Sequence, residues 1–127
     1  MIDPYIYKVK VVRVVDADTV DLIVDMGFGQ YWGNEEHPIR FRIYNYDAPE
    51  TWRPKCEAEK IHGEAATNRA KELLESKEIY MKSVKKNKPD IYGRFNAALL
   101  LSDGTDYVTL MKSEGFEKLE SYNDNSM

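Results

Sequence analysis

Residues 5–15, YIYKVKVVRVV, carry β-branched and aromatic types at nearly every position, with Lys8, Lys10 and Arg13 at the places a strand turns to water. Asp16-Ala17-Asp18 interrupts this run, and TVDLIVDM resumes the β pattern as far as Met26. The segment 27–38, GFGQYWGNEEHP, is polar, holds three glycines and closes on a proline, which predicts a hairpin or wide loop. Apolar and polar positions alternate again in RFRIYNY, residues 40–46, a third strand. Residues 47–62, with Pro49 and Pro54, read as irregular. From Gly63 the period changes to that of a helix, with Ala66, Ala70, Leu73 and Leu74 as the apolar stripe and Arg69, Lys71, Glu72 and Glu75 mainly on the wet side.

Ser76-Lys77 should end that helix, and EIYMKSVK forms a fourth strand to about Lys85. The basic loop Lys85-Lys86-Asn87-Lys88-Pro89-Asp90 precedes a fifth strand over Phe95–Leu101. Ser102-Asp103-Gly104 is a turn, and a short helix from about Tyr107 to Glu114 stops at Gly115. The expected class is α+β, a five-stranded OB-fold-like barrel with a helix after the third strand and a short C-terminal helix. One domain should occupy the 127 residues, its core running over about 5–118 and the tail 119–127 fraying.

Composition narrows the classes. Apolar residues make up 43% of the chain, so it is neither disordered nor collagen-like. One cysteine, Cys56, rules out an internal disulfide and a thiolate zinc site, and two histidines are too few for a His-rich centre. The N-terminus lacks a signal peptide's order of segments, so a cytoplasmic location is the default expectation, with export after removal of a leader left open. No apolar run approaches the roughly 20 residues that span a bilayer.

The formal charge is −4, but residues 53–94 hold eleven basic and seven acidic side chains between two acidic flanks. That balance argues against a non-specific nucleic-acid coat protein, whose affinity comes from many phosphate contacts. It leaves room for an enzyme with a local positive cleft.

Three clusters sit at strand ends: Asp16-Ala17-Asp18-Thr19, Arg42 with Asp47-Ala48-Pro49-Glu50, and Asp90-Ile91-Tyr92-Gly93-Arg94. Each taken singly reads as a turn or a surface arginine. Jointly they supply the parts of a metal-assisted phosphodiesterase. Asp18 and Asp47 can hold a hard cation through oxygen, with carbonyls and water completing a weak, exchangeable site. Arg42 and Arg94 can clamp a phosphoryl group and favour its pentacoordinate state. Glu50 can orient and deprotonate an attacking water.

With these motifs in this order, VVDADTVDL at 14–22, RFRIYNYDAPE at 40–50, HGEAATNRAKELL at 62–74 and DIYGRFNAAL at 90–99, the chain resembles the staphylococcal (thermo)nuclease-like domains from about Lys8 to Lys118. The resemblance implies a Ca²⁺-dependent nuclease that cuts single-stranded or frayed DNA and RNA to leave 3′-phosphates. It makes Asp18 and Asp47 the calcium carboxylates, Ala48 a backbone-carbonyl ligand, Thr19 a contact through metal-bound water and Asp16 an outer support. Arg42 and Arg94 become the phosphate clamp and Glu50 the general base. The chain departs from the pattern in its acidity, its short C-terminus and Ile91 in place of a frequent lysine, which predicts weaker substrate binding.

Tyr92 keeps the motif tyrosine, and Tyr31 and Trp32 can either stack on bases or pack over a barrel end. Lys85, Lys86 and Lys88 can guide a nucleic-acid backbone or form a solvated loop. His62 reads as a cap or surface group, and Cys56 as inert. The alternative to the nuclease is a non-catalytic OB-fold module that binds nucleic acid, and a protein-interaction scaffold is a third reading. A monomer acting on nucleic acid, with no membrane partner, is the expectation.

Overall fold

The computed structural model describes residues 5–51, 54–84 and 95–119. In chain order its elements are β1 (Ile6–Asp16), β2 (Thr19–Gly27), β3 (Gln30–Trp32), β4 (Ile39–Ile43), α1 (Glu57–Leu74), β5 (Glu78–Ser83), β6 (Phe95–Leu100) and α2 (Tyr107–Ser113). β1, β5, β6, β4 and β2 follow one another around a ring that the β1–β2 pairing closes. All these neighbours are antiparallel except β4 and β6, which run parallel. The result is the expected closed five-stranded barrel with a helix between the third and fourth of its staves. Closure leaves no long unpaired edge among those staves.

Alternation along the strands fills the interior. Val9, Val11 and Val14 of β1, Val20, Leu22 and Val24 of β2, Phe41 and Ile43 of β4, Ile79 and Met81 of β5, and Ala97 and Leu99 of β6 are all buried. β1 slips register at Val12 and again at Val15, so its two ends meet different partners. Its first half pairs with β5 through Ile6–Lys10, and its second half pairs with β2 down to Asp16 opposite Thr19.

Three boundaries differ from the sequence expectation. The loop 27–38 contains β3, whose Tyr31 and Trp32 oppose Asp25 and Val24 of β2. Since Val24 already pairs with Val9 on its other side, β3 and β4 share one edge of β2. They are a single partner strand interrupted by an excursion over 33–38. The Asn34 side chain closes that excursion by accepting from the amides of Glu36 and His37.

The third stave stops at Ile43 rather than Tyr46. Asn45 is left-handed there (φ 60°), and Tyr46 turns inward, its hydroxyl donating to the Phe116 carbonyl.

The long helix begins at Glu57, well before Gly63. Its buried side is Glu59, Gly63, Ala66, Ala70 and Leu74, a stripe at helical spacing whose first two members are not apolar. An analysis of hydrophobic period therefore misses the first turns. Gly63 is there because the chain crosses the helix at that point. A Cβ on it would lie 2.5 Å from the Glu50 carbonyl oxygen and 2.9 Å from that of Pro49. Glycine in a helix interior otherwise costs about 1 kcal/mol relative to alanine. Gly63→Ala is accordingly expected to reverse the usual sign and destabilise the fold by about 1–3 kcal/mol, read from the midpoint of urea unfolding. A variant as stable as the parent would show that the crossing is not close.

Candidate active site

Asp16 ends β1 and Thr19 begins β2, so Ala17 and Asp18 form the two-residue turn of a hairpin. Ala17 is buried, and its carbonyl accepts a 2.6 Å bond from the hydroxyl of Tyr107 on α2. The Asp18 carbonyl accepts the Ile43 amide at 2.8 Å, tying the turn to the end of β4. Its carboxylate accepts from the Thr19 hydroxyl at 3.1 Å and from the Ala48 amide at 3.1 Å. Thus the two acidic motifs, 30 residues apart in sequence, are joined by one side chain.

Arg42 completes the junction. One guanidinium nitrogen, Nη1, donates to the carbonyls of Ile43 (2.9 Å) and Tyr46 and reaches that of Asp18 at 3.5 Å. The other, Nη2, lies 3.6 Å from the Asp18 carboxylate. Burial pushes the Asp18 carboxyl above the ordinary carboxylate range, and the Asp16 charge adds to this, against the pull of Arg42, the Ala48 amide and Thr19.

Asp47 is exposed, and its carbonyl accepts the Lys118 amide at 2.8 Å. Ala48 and Pro49 are buried, which fixes the chain leading to half-buried Glu50. Burial raises the Glu50 carboxyl as well, helped by the charges of Asp18, Asp16 and Glu59 and opposed by Lys118. The Asp16 carboxylate accepts from the hydroxyl of Thr51, the next residue along.

Glu59, fully buried on α1, holds this loop from beneath. Its two oxygens accept the Lys55 amide at 2.7 Å and the Glu50 amide at 3.2 Å, and Lys118 lies 3.7 Å away. Burial alone would raise this carboxyl, but the two amides and Lys118 outweigh it and hold it below the usual value.

The structure therefore brings together Asp16, Asp18, Thr19, Arg42, Ala48 and Glu50, with Asp47 at the solvent edge. It does not bring Tyr31 and Trp32 to them. Trp32 opposes Val24, five residues up β2 from Thr19, or about 17 Å along the strand. There it packs edge-on against Phe41 and Phe95, with ring centroids 5.7 and 5.1 Å apart, and it remains partly exposed. Arg94, Tyr92, Lys85, Lys86 and Lys88 lie outside the described residues. Cys56 is the N-terminal boundary of α1, and His62 meets the Gly115 carbonyl at 2.7 Å.

The sequence reading missed Tyr107, Glu59, Gly63 and Lys118, none of which touches the reacting region directly. A signal for Glu59 existed in its spacing of four from Gly63, in phase with Ala66 and Ala70. Nothing in the sequence pointed to Tyr107 or Lys118.

Oxygen donors dominate the cluster. Among the described residues no three His, Cys, Asp or Glu side chains converge on one point that would hold a metal. Two carboxylates with carbonyls and water fit a hard cation such as Ca²⁺ and do not fit zinc. Burial raises Asp18 and Glu50 and neighbouring carboxylates add to it, a cost that such a cation would offset.

Residues 40–127 match the family model described as staphylococcal nuclease homologue. The chain belongs to this family, whose members are in general nucleases acting on nucleic acids. The match begins at β4, so Asp16, Asp18 and Thr19 precede it, and the barrel folds them onto the matched part through Arg42 and Ala48. Among the described residues no helix is long and apolar enough to cross a membrane.

Two supports can be tested without an activity assay. Tyr107→Phe leaves the buried Ala17 carbonyl without its donor and is expected to cost about 1–3 kcal/mol in urea unfolding. Glu59 is held below its unfolded pKa, so its contribution is present above about pH 4.3 and is lost as pH falls through the folded value. Unfolding curves of wild type and Glu59→Gln should therefore lie apart at pH 7 and converge in acid. A constant gap from pH 7 to pH 3 would show that the Glu59 charge is not what stabilises the loop.

Proposed function

We propose that the protein is a Ca²⁺-dependent nuclease that hydrolyses phosphodiester bonds in single-stranded or frayed DNA and RNA. The observation that carries this reading is the Arg42–Asp18 junction: a guanidinium oriented by three backbone carbonyls and facing the carboxylate of an acid-rich turn. A module that only binds nucleic acid has no use for carboxylates partly buried beside its arginine, because they repel phosphate.

In this reading Asp18 and Asp47, with the Ala48 carbonyl and a Thr19-bound water, hold the cation, and Asp16 supports them. The cation, when bound, neutralises phosphate charge and offsets the local acidity. Glu50 orients a water and accepts its proton as the water oxygen bonds to phosphorus. The P–O5′ bond breaks, the 5′-oxygen leaves and takes a proton from solvent, Glu50 releases its proton to solvent, and the other fragment keeps a 3′-phosphate. Arg42 faces the equatorial oxygens as their charge grows, with Arg94 as its partner in the clamp.

The test is cleavage of a fluorescently quenched single-stranded oligonucleotide in Ca²⁺, in Mg²⁺ and in EDTA. Glu50→Gln should lower kcat by about 10²–10⁴-fold with little change in KM. Asp18→Asn should shift the calcium dependence to higher concentration. Calcium-dependent cleavage with equal rates in wild type and Glu50→Gln would remove the water-activating role. Oligonucleotide binding without cleavage in any metal would leave the binding module.

A further inference from the structure

Outer-face residues of β1, β2 and β4 stand in cross-strand rows. Asp16, Thr19 and Arg42 form one row, since Asp16 opposes Thr19 and Thr19 opposes Arg42. One pleat further along, Arg13 opposes Asp21 and Asp21 opposes Arg40. Two residues along a strand advance about 7 Å on the same face. The second row thus lies beside the candidate active site, at a distance comparable with the phosphate-to-phosphate step of an extended nucleic-acid strand.

The chemistry of this row is built. Asp21 is 4% exposed, and its carboxylate takes Arg40 Nε at 2.8 Å, Arg40 Nη2 at 3.2 Å and Arg13 Nη2 at 2.9 Å. Burial would raise its pKa, but the bonds and charges of Arg40 and Arg13 prevail and keep it ionised. The two arginines remain 62% and 46% exposed for Arg13 and Arg40. One buried acid therefore orients two guanidinium groups and leaves a net positive charge facing solvent. They border a groove of about 460 Å³ whose opposite wall is the excursion 33–38, with Glu36, His37, Pro38 and Glu35. Glu35 is itself paired with Lys10 at 2.6 Å. This acidic wall bounds the Arg13–Arg40 pair on the side away from Arg42.

We propose that the Arg13–Asp21–Arg40 row is a phosphate subsite, which holds the backbone phosphate neighbouring the scissile one. The proposal rests on the nuclease reading for the identity of its ligand, an extended nucleic-acid strand. Asp21 is a positioning residue: it presents the guanidinium groups and does not touch the phosphate. The subsite adds affinity for polymer over single phosphodiesters without adding a group to the reaction itself.

Two substrates separate the effects: a dinucleoside monophosphate, which has a scissile bond and no neighbouring phosphate, and a longer single-stranded oligonucleotide. Arg13→Gln/Arg40→Gln should lose about tenfold or more in kcat/KM on the oligonucleotide, the weight of a charge-assisted contact, and nothing on the dinucleoside. Asp21→Asn, which keeps both arginines but removes the carboxylate that presents them, should also lower the oligonucleotide value and leave the dinucleoside value unchanged. In EDTA, oligonucleotide affinity measured by anisotropy should lose about 0.7 from the slope of log K against log salt in the double arginine variant. Lys71→Gln/Lys112→Gln removes the same charge from the helices and should leave the length preference intact.

The triple variant Arg13→Gln/Asp21→Asn/Arg40→Gln has no unpaired buried acid and replaces the double if the latter fails to fold. Equal losses on both substrates, or an unchanged oligonucleotide value, would overturn the subsite while the nuclease reading stands. A wild type that cleaves nothing, yet binds oligonucleotide through Arg13 and Arg40, would keep the subsite and remove the nuclease.

Discussion

Burial raises the proton affinity of Asp18 and Glu50, the charges of nearby carboxylates add to it, and the protein must hold these groups in place against that cost. Arg42 is the main means. Its guanidinium faces Asp18 with one nitrogen and binds backbone carbonyls of β4 and the following turn with the other. One cation therefore offsets the charge and also fixes the geometry.

Around that junction the remaining contacts are made mostly by residues remote from the chemistry. Tyr107 on α2 holds the Ala17 carbonyl under the acidic turn, and Glu59 on α1 holds the Glu50 and Lys55 amides. Gly63 lets the loop pass within contact of the helix. Lys118, beyond α2, binds the Asp47 carbonyl through its amide and approaches Glu59 with its side chain. Both helices thus act as supports for loops on one side of the barrel. A half-buried carboxyl keeps a defined position only when its backbone cannot move away from its neighbours, and these contacts impose that limit.

The barrel also extends the site in one direction. Rows of outward side chains repeat every second residue, so the row with Arg42 has the Arg13–Asp21–Arg40 row as its neighbour. β4 contributes to both rows through Arg40 and Arg42, and β2 through Asp21 and Thr19. One strand pair therefore presents the Asp16–Thr19–Arg42 row at one level and a second charged row at the next without any change in backbone.

The sequence by itself determined the five staves, the two helices and the acidic and basic motifs at their ends, because alternation and turn residues are local signals. Asp18, Arg42 and Glu50 were legible for the same reason: each belongs to a short motif. The first two turns of α1 were not legible, because Glu59 and Gly63 occupy the buried stripe and neither is apolar. Glu59 is satisfied in its buried place by two amides of the loop just before α1 and by Lys118, which is distant in the chain. Tertiary structure alone decided that Ala48 donates to Asp18, that Tyr107 reaches Ala17, and that Arg13 and Arg40 share Asp21. That Trp32 packs edge-on against Phe41 and Phe95 was likewise decided by tertiary structure. Each of these depends on strand register and barrel closure, which bring together side chains that no local pattern relates.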